Sequence, residues 1–323
     1  MANLLIILAG LLLIISIVQV VRILELTSTL RGGDSASITD EDNSNQGLLM
    51  LLFLIFMMGS FIWSWMAWGD LLLPAASSIH GAQIDGLMAV TMGLILVVFF
   101  ITQPLLFYFA YKYRGRKGNR AAYVSHNNKL ELIWTSIPAV VLTALIAYGL
   151  STWSSTMYAA TDESEEIELY ARQFDWTARY SGTDKTLGEA NVRNIEGVNM
   201  VGVNPLDPSG DDDMLVRGEM HLVVGKPYLL KFRSQDVIHS AYLPHFRVQM
   251  NCVPGMTTQF AFTPTKTTAE MRQETGNEAF DYILLCNKIC GSAHYNMQMT
   301  VIVESQEEYN TWLAEQKPLK TEE

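Results

Sequence analysis

Charged side chains are absent from four long stretches of the chain, residues 1–21, 43–69, 86–111 and 132–161. Each exceeds the roughly 20 apolar residues that a helix needs to cross about 30 Å of hydrocarbon at about 1.5 Å per residue. The pattern predicts four transmembrane helices. MANLLIILAG has no Lys or Arg ahead of its apolar run and no A-x-A site follows it, so the first segment reads as a retained helix rather than a cleaved signal. Pro104 and Pro138 fall inside the third and fourth segments, where they free carbonyls and are expected to kink the helices. Past residue 160 the rhythm shortens to IELYARQFDW, PYLLKFR, TQFAFTP, DYILL and MQMTVIVE, separated by Gly, Pro and Asp. Alternating runs of this length predict an antiparallel β-sandwich or barrel. Residues 181–219, with Asp211, Asp212 and Asp213 in a row, read as an irregular solvated insertion. Near the C-terminus Tyr309, Trp312 and Leu313 have helical spacing.

Composition narrows the class. With 49% hydrophobic and 17% charged residues the chain is too apolar for an ordinary soluble, disordered or disulfide-stapled protein. The loop after the third segment holds Lys112, Arg114, Arg116, Lys117, Arg120 and Lys129 with no acid before Glu131, which marks it as cytoplasmic. Both chain ends and residues 155–323 then lie on the far side of the membrane. The loop at 22–46 adds little support, having only Arg22 and Arg31 against five acids. Residues 1–154 carry eight basic and eight acidic groups, so the formal charge of −11 belongs entirely to the second half. That acidic second half argues against nucleic acid as a partner, because a phosphate-binding surface needs a basic patch, whereas acids gathered on one face would favour a cationic partner.

One cluster carries chemistry. In CNKICGSAHYNM, Cys286, Cys290, His294 and Met297 are spaced four, four and three residues apart, and His239 stands upstream in SQDVIHS. Thiolates, imidazoles and a thioether form a soft donor set that selects copper or zinc over magnesium or calcium. The cluster sits between two strand-like runs, and Gly291 allows the loop to turn back tightly. A mononuclear blue-copper site would use one cysteine and leave the other idle. Two copper ions sharing both sulfurs, each with one histidine, and with Met297 and a backbone carbonyl as weaker ligands, would employ every residue. A Cys286–Cys290 disulfide and a structural Cys₂His₂ zinc site remain open alternatives, though the first leaves His and Met unexplained and the second leaves Met297 idle. Cys252 reads as a small buried hydrophobe. His80, His126, His221 and His245 lack companions at ligand spacing and read as ordinary surface or core residues. No C-x-x-C-H occurs, so no haem c is attached to this chain.

These residues resemble cytochrome c oxidase subunit II, the CuA-bearing subunit of haem-copper oxidases. Asp236-Val237-Ile238-His239-Ser240, Pro254-Gly255 and the run Cys286 through Met297 match the family pattern, as do ELIWTSIPA and QFDW. The similarity covers about residues 86–315 and leaves residues 1–85 outside it. It implies an all-β, cupredoxin-like Greek-key β-barrel, and with the four apolar segments the expected architecture is a four-helix transmembrane anchor followed by that barrel: residues 1–85 as two extra helices, 86–160 as a helical hairpin and 161–323 as the CuA domain. The implied copper ligands are His239, Cys286, Cys290, His294 and Met297 by side chain and Lys288 by its carbonyl. Glu131 falls at the proton-channel entrance and Phe174 and Trp176 at the electron entry, two apart in a strand-like run that would turn them to one face. The implied function is to accept electrons from cytochrome c and pass them through the copper pair to haem in subunit I, where oxygen reduction is coupled to proton pumping. A metal-free quinol oxidase subunit and a membrane-anchored copper carrier are the alternatives. The implied partners are subunit I, other oxidase subunits, membrane lipid and a c-type cytochrome. Because Phe174 and Asn251 depart from the family's Trp and acid, the donor is expected in a membrane-bound partner complex. Lys288 replaces the family's magnesium-binding Glu, so magnesium at the subunit interface is doubtful. The implied location is a bacterial-type inner membrane, with the CuA domain on the periplasmic side.

Overall fold

The computed structural model describes residues 2–30 and 38–320. Four helices, α1 (Ala2–Leu30), α2 (Asp40–Trp68), α3 (Ile79–Lys112) and α4 (Asn128–Met157), overlap the four predicted segments, and all are long and apolar enough to cross a membrane. Pro104 lies inside α3 and Pro138 inside α4. The chain divides into two compact units. One contains α1, α2 and the C-terminal part of α3 with the loop that follows. Within it α2 runs antiparallel to α3. Phe61 packs on Phe99 and Phe100 with ring centroids 5.5 and 5.7 Å apart, and the Asp40 carboxylate accepts the Lys117 N–H at 2.7 Å. Gly47 permits the close approach, since a Cβ there would lie 2.9 Å from Arg114 Cδ.

The second unit comprises the N-terminal part of α3, α4 and all that follows. Its ten strands are β1 (Glu165–Arg172), β2 (Asp175–Tyr180), β3 (Met214–Arg217), β4 (Glu219–Val223), β5 (Tyr228–Ser234), β6 (His239–Leu243), β7 (Val248–Cys252), β8 (Thr258–Phe262), β9 (Tyr282–Cys286) and β10 (Gln298–Glu304). They form two five-stranded sheets, ordered β3-β2-β1-β5-β8 and β4-β10-β9-β6-β7, in a cupredoxin-like Greek-key arrangement. Ile167, Leu169, Leu230 and Phe232 of the first sheet and Leu243, Val248, Leu284 and Val301 of the second are wholly buried. Burying each such side chain is worth roughly 1.5–3 kcal/mol. Two short helices close the barrel, α5 (Thr268–Thr275) and α6 (Gln306–Ala314). Each starts on a capping box, Thr267 with Glu270 and Ser305 with Glu308, in which side chains and backbone N–H groups satisfy one another.

Three expectations need correction. The sheets are mixed rather than antiparallel, because β1 pairs with β5 and β4 with β10 in parallel. The chain leaves the first sheet after β3, contributes β4 to the second and returns with β5 beside β1, so neighbours in space are no longer consecutive hairpins. IELYARQFDW is not one strand. It breaks at Gln173 and Phe174 into the β1–β2 hairpin, where Asp175 accepts hydrogen bonds from the Trp176 N–H and Arg217. Residues 181–219, finally, are irregular and mostly exposed or half-buried up to Asp212, as expected, but they also form a cover that buries Val201, Val203 and Asp213, and they run into strand β3. Val201 and Val203 lie against Tyr170 on the outer face of the first sheet.

The cover encloses charge. Arg179 donates to Glu168 at 2.8 Å and to Asp213 at 2.6 Å, and Arg233 donates to Glu168 at 3.1 Å. Two cations thus face two carboxylates, and Asp213 is fully buried. Burial pushes the Asp213 carboxyl up, against the pull of Arg179. Removing one partner of such a set strands the other charge in a medium that solvates it poorly. Asp213→Ala is therefore expected to destabilise the β domain by about 3–5 kcal/mol, against a loss under about 1 kcal/mol for Asp211→Ala, whose half-exposed carboxylate pairs with Lys320 at the surface. Thermal or denaturant unfolding followed by tryptophan fluorescence would measure both.

Candidate metal centre

Strand pairing brings the donor residues together. β6 lies between β7 and β9, with Ala241 opposite Cys286 and His239 opposite Cys252. The β9–β10 connection is closed at its base by the Cys286 N–H donating to the Met297 carbonyl at 3.0 Å, and the Asn287 N–H donates to the Ser240 carbonyl at 3.0 Å. A single turn of 3-10 helix, His294–Asn296, then returns the loop to β10. His239 and the cysteine loop, 47 residues apart, thus meet at one end of the barrel.

All six predicted donors converge. The Cys286 and Cys290 sulfurs are 3.9 Å apart, His239 Nδ1 lies 3.8 Å from Cys286 Sγ and His294 Nδ1 lies 3.5 Å from Cys290 Sγ. Met297 Sδ is 3.8 Å from Cys290 Sγ, and the Lys288 carbonyl oxygen is 3.3 Å from Cys286 Sγ. The cysteines are free, so the disulfide alternative fails. These separations match ligands arranged around metal, since two thiolates at about 2.3 Å on one tetrahedral ion stand about 3.8 Å apart. His239, Cys286 and Cys290 offer donor atoms within 4.8 Å of one another, all three buried. Burial and the neighbouring Cys286 push the Cys290 thiol up to about 11.

Asp236 orients the upstream histidine. Its Oδ1 accepts from His239 Nε2 at 2.8 Å, which fixes the proton there and leaves the Nδ1 lone pair facing Cys286. Burial raises the Asp236 carboxyl, but hydrogen bonds from His239 and from the Gln173 and Val237 N–H groups outweigh it and hold the group below the usual range. Trp176 is wholly buried, with its ring edge-on to His239 at 6.2 Å between centroids. Phe174 stands in the hairpin instead, partly exposed and against Gly291. The two rings are thus not alternate members of one strand, yet both close on the donor loops. The Lys288 side chain is exposed. Glu131 lies outside this cluster. It is exposed in the first turn of α4, where Oε1 accepts the Asn127 N–H at 3.2 Å.

The remaining residues keep structural roles. Cys252 is buried, its thiol pushed up to about 12 by desolvation. His80 contacts the Arg247 carbonyl, His221 stacks on Trp312 at 4.0 Å, His245 packs against Phe280 and Tyr282, and His126 is exposed. Gln173 was not read as a site residue from the sequence. Its partners lie 63 and 117 residues away, and no local spacing reports them.

The family model for the cytochrome c oxidase subunit II transmembrane domain matches residues 64–152, and that for the periplasmic domain matches residues 167–306. The chain belongs to the cytochrome c oxidase subunit II family. An alternative cytochrome c oxidase subunit 2 from Bradyrhizobium diazoefficiens is 39% identical over 223 residues, covering 68% of this chain and 76% of the relative. Cytochrome c oxidase subunit 2 of Thermostichus vulcanus is 25% identical over 275 residues, covering 77% and 80%. Among solved structures, the periplasmic domain of subunit II of cytochrome oxidase from Bradyrhizobium japonicum is 21% identical, covers 48% of this chain and 94% of its own, and has a TM-score of 0.32. This subunit II is accordingly the electron-transfer subunit of a cytochrome c oxidase. It is a membrane protein with an outer domain, it works with other oxidase subunits, and its His and Cys cluster suits copper.

Gly291 is the tightest point of the loop. Its φ is +148°, and a Cβ would lie 2.7 Å from the Phe174 ring. Gly291→Val should therefore weaken copper retention by roughly 10- to 100-fold while the barrel still folds. Metal content after chelator challenge, read beside the thermal midpoint, checks this.

Proposed function

We propose that His239, Cys286, Cys290, His294, Met297 and the Lys288 carbonyl hold a dinuclear copper centre of the CuA type. The observation that carries this reading is the pairing of donors: two thiols 3.9 Å apart, each facing its own imidazole Nδ1. A mononuclear blue-copper ion would leave one cysteine without work, and a zinc site would leave Met297 idle. When bound, the copper pair would supply a one-electron store shared between two ions. The chain's own part is to hold the donors still. Asp236 keeps the His239 tautomer, and burial of both cysteines excludes water.

Electrons are proposed to arrive over Phe174, the partly exposed ring at the centre's rim, and to leave toward haem in subunit I. Trp176 backs His239 from within the barrel, so a donor touches Phe174 and not Trp176. The donor is proposed to be a c-type cytochrome of a membrane-bound partner, steered by the excess of acids over bases in residues 155–323. Lys288 offers an ammonium where the family has a magnesium-binding acid, so no magnesium is proposed through this chain. The basic loop after α3 supports a cytoplasmic face for Glu131 and a periplasmic one for the copper domain of an inner-membrane protein.

Electron paramagnetic resonance of the copper-loaded full-length chain should show one unpaired electron coupled to two copper nuclei, and Cys290→Ser should abolish that pattern. A single-copper spectrum from the unaltered chain would overturn the reading. Glu131 is proposed to collect protons at the cytoplasmic mouth of the partner's channel. Glu131→Gln should slow turnover of the assembled oxidase severalfold at neutral pH and leave copper reduction by the donor unchanged. Equal turnover would reduce Glu131 to a helix-capping residue.

A further inference from the structure

We propose that Gln173 is a positioning residue for the copper centre, a tie from the first sheet that fastens the two ligand-bearing segments of the second sheet to each other. The inference rests on the copper reading given above. His239 and the cysteine loop come from different connections, and in the sheet that carries them β6 and β9 pair at Ala241–Cys286 and Tyr242–Leu285, with one further bond from the Asn287 N–H to the Ser240 carbonyl. Cys290 lies three residues past that bond, outside the ladder.

The β1–β2 hairpin closes that gap. The Gln173 N–H donates to Asp236 Oδ2 at 2.7 Å, and Asp236 Oδ1 accepts from His239 Nε2 at 2.8 Å. From the same residue the side-chain Nε2 donates to the Cys290 carbonyl. One residue therefore grips His239 through a carboxylate and Cys290 through its own peptide. The contact is tight, because a Cβ on Gly291 would lie 2.9 Å from Gln173 Nε2 and 2.7 Å from the Phe174 ring.

The bond to the Cys290 carbonyl sets the rotation of the Cys290–Gly291 peptide. Gly291, with φ at +148°, offers little resistance to that rotation on its own. The direction of Cys290 Sγ, and with it the 3.9 Å spacing to Cys286 and the 3.5 Å spacing to His294, then depends on a donor outside the loop. The side chain is exposed, so no packing demands an amide there. Its chemistry, a donor on a four-atom reach, is what the geometry uses. Outer hydrogen-bond partners of metal ligands commonly change metal affinity by roughly 10- to 100-fold when removed.

The test uses the full-length chain in its detergent-solubilised oxidase complex, with copper as the probe. Gln173→Glu keeps the size and the backbone N–H but replaces the donor by an acceptor. Gln173→Ala removes the side chain, and Gln173→Lys restores a donor of similar reach. Copper loss to a chelator should be roughly 10- to 100-fold faster in the Glu and Ala variants, with altered copper hyperfine splittings, and close to the unaltered chain in the Lys variant. Thermal unfolding of the copper-free proteins should be nearly the same for all four, which separates positioning from general stability. Unchanged retention and hyperfine pattern in both the Glu and Ala variants would overturn the tie while leaving the copper centre intact. An unaltered chain without a paired-copper spectrum would overturn the copper reading itself, and the tie with it.

Discussion

Two thiols 3.9 Å apart, free and buried at one end of a β-barrel, are the constraint around which the rest of the outer domain is arranged. Left alone they are an unfavourable pair. Desolvation and the neighbouring Cys286 sulfur push the Cys290 thiol up. A soft cation resolves this, because it binds the deprotonated form and replaces water as the sulfur's partner. The barrel holds the pair in readiness for that cation by ordinary strand pairing. β6 and β9 set the distance between His239 and Cys286, and the bond from the Cys286 N–H to the Met297 carbonyl closes the loop that carries the other donors.

Pairing within one sheet is not enough to hold six donors. The first sheet contributes through the β1–β2 hairpin, where Gln173 reaches both ligand segments and Phe174 seats on Gly291. That hairpin can hold its place because β1 is buried on both faces. One face packs into the core, and the other lies under the cover that includes Asp213 and Val201. Charge neutrality under the cover comes from two arginines against two acids, so the outer face of the sheet stays dry without leaving a bare charge.

The attachment to the membrane anchor follows the same economy. Arg247, at φ +53° in the turn between β6 and β7, donates to both oxygens of Asp85 on α3 at 2.8 and 2.9 Å and to the carbonyls of Pro74 and Pro244 at 2.6 Å each. The strand that bears His239 is therefore tied to the start of a transmembrane helix by a largely buried, doubly bonded ion pair. Such a bond has directional geometry, which a purely apolar contact between helix and barrel lacks.

The four membrane helices, the alternation of β5, β9 and β10, the α6 helix and the clustering of Cys286, Cys290, His294 and Met297 in one loop were legible in the sequence. Each follows from short-range periodicity or from spacing within a dozen residues, as in Cys286 through Met297, whereas the meeting of that loop with His239, 47 residues upstream, does not. The sequence even carried the correct structural reading of Cys252, since a lone thiol among apolar neighbours is stable only when neutral. What only the tertiary structure decided depends on partners far apart in the chain. Parallel pairing of β1 with β5, the burial of Asp213 within an acidic run, the hairpin hidden in IELYARQFDW and the reach of Gln173 to Asp236 and Cys290 all belong here. Periodicity tells which face of an element is apolar, but not which distant residue will meet its polar face. That choice is made when burial removes water and leaves each charge and hydrogen-bonding group dependent on whatever the fold brings beside it.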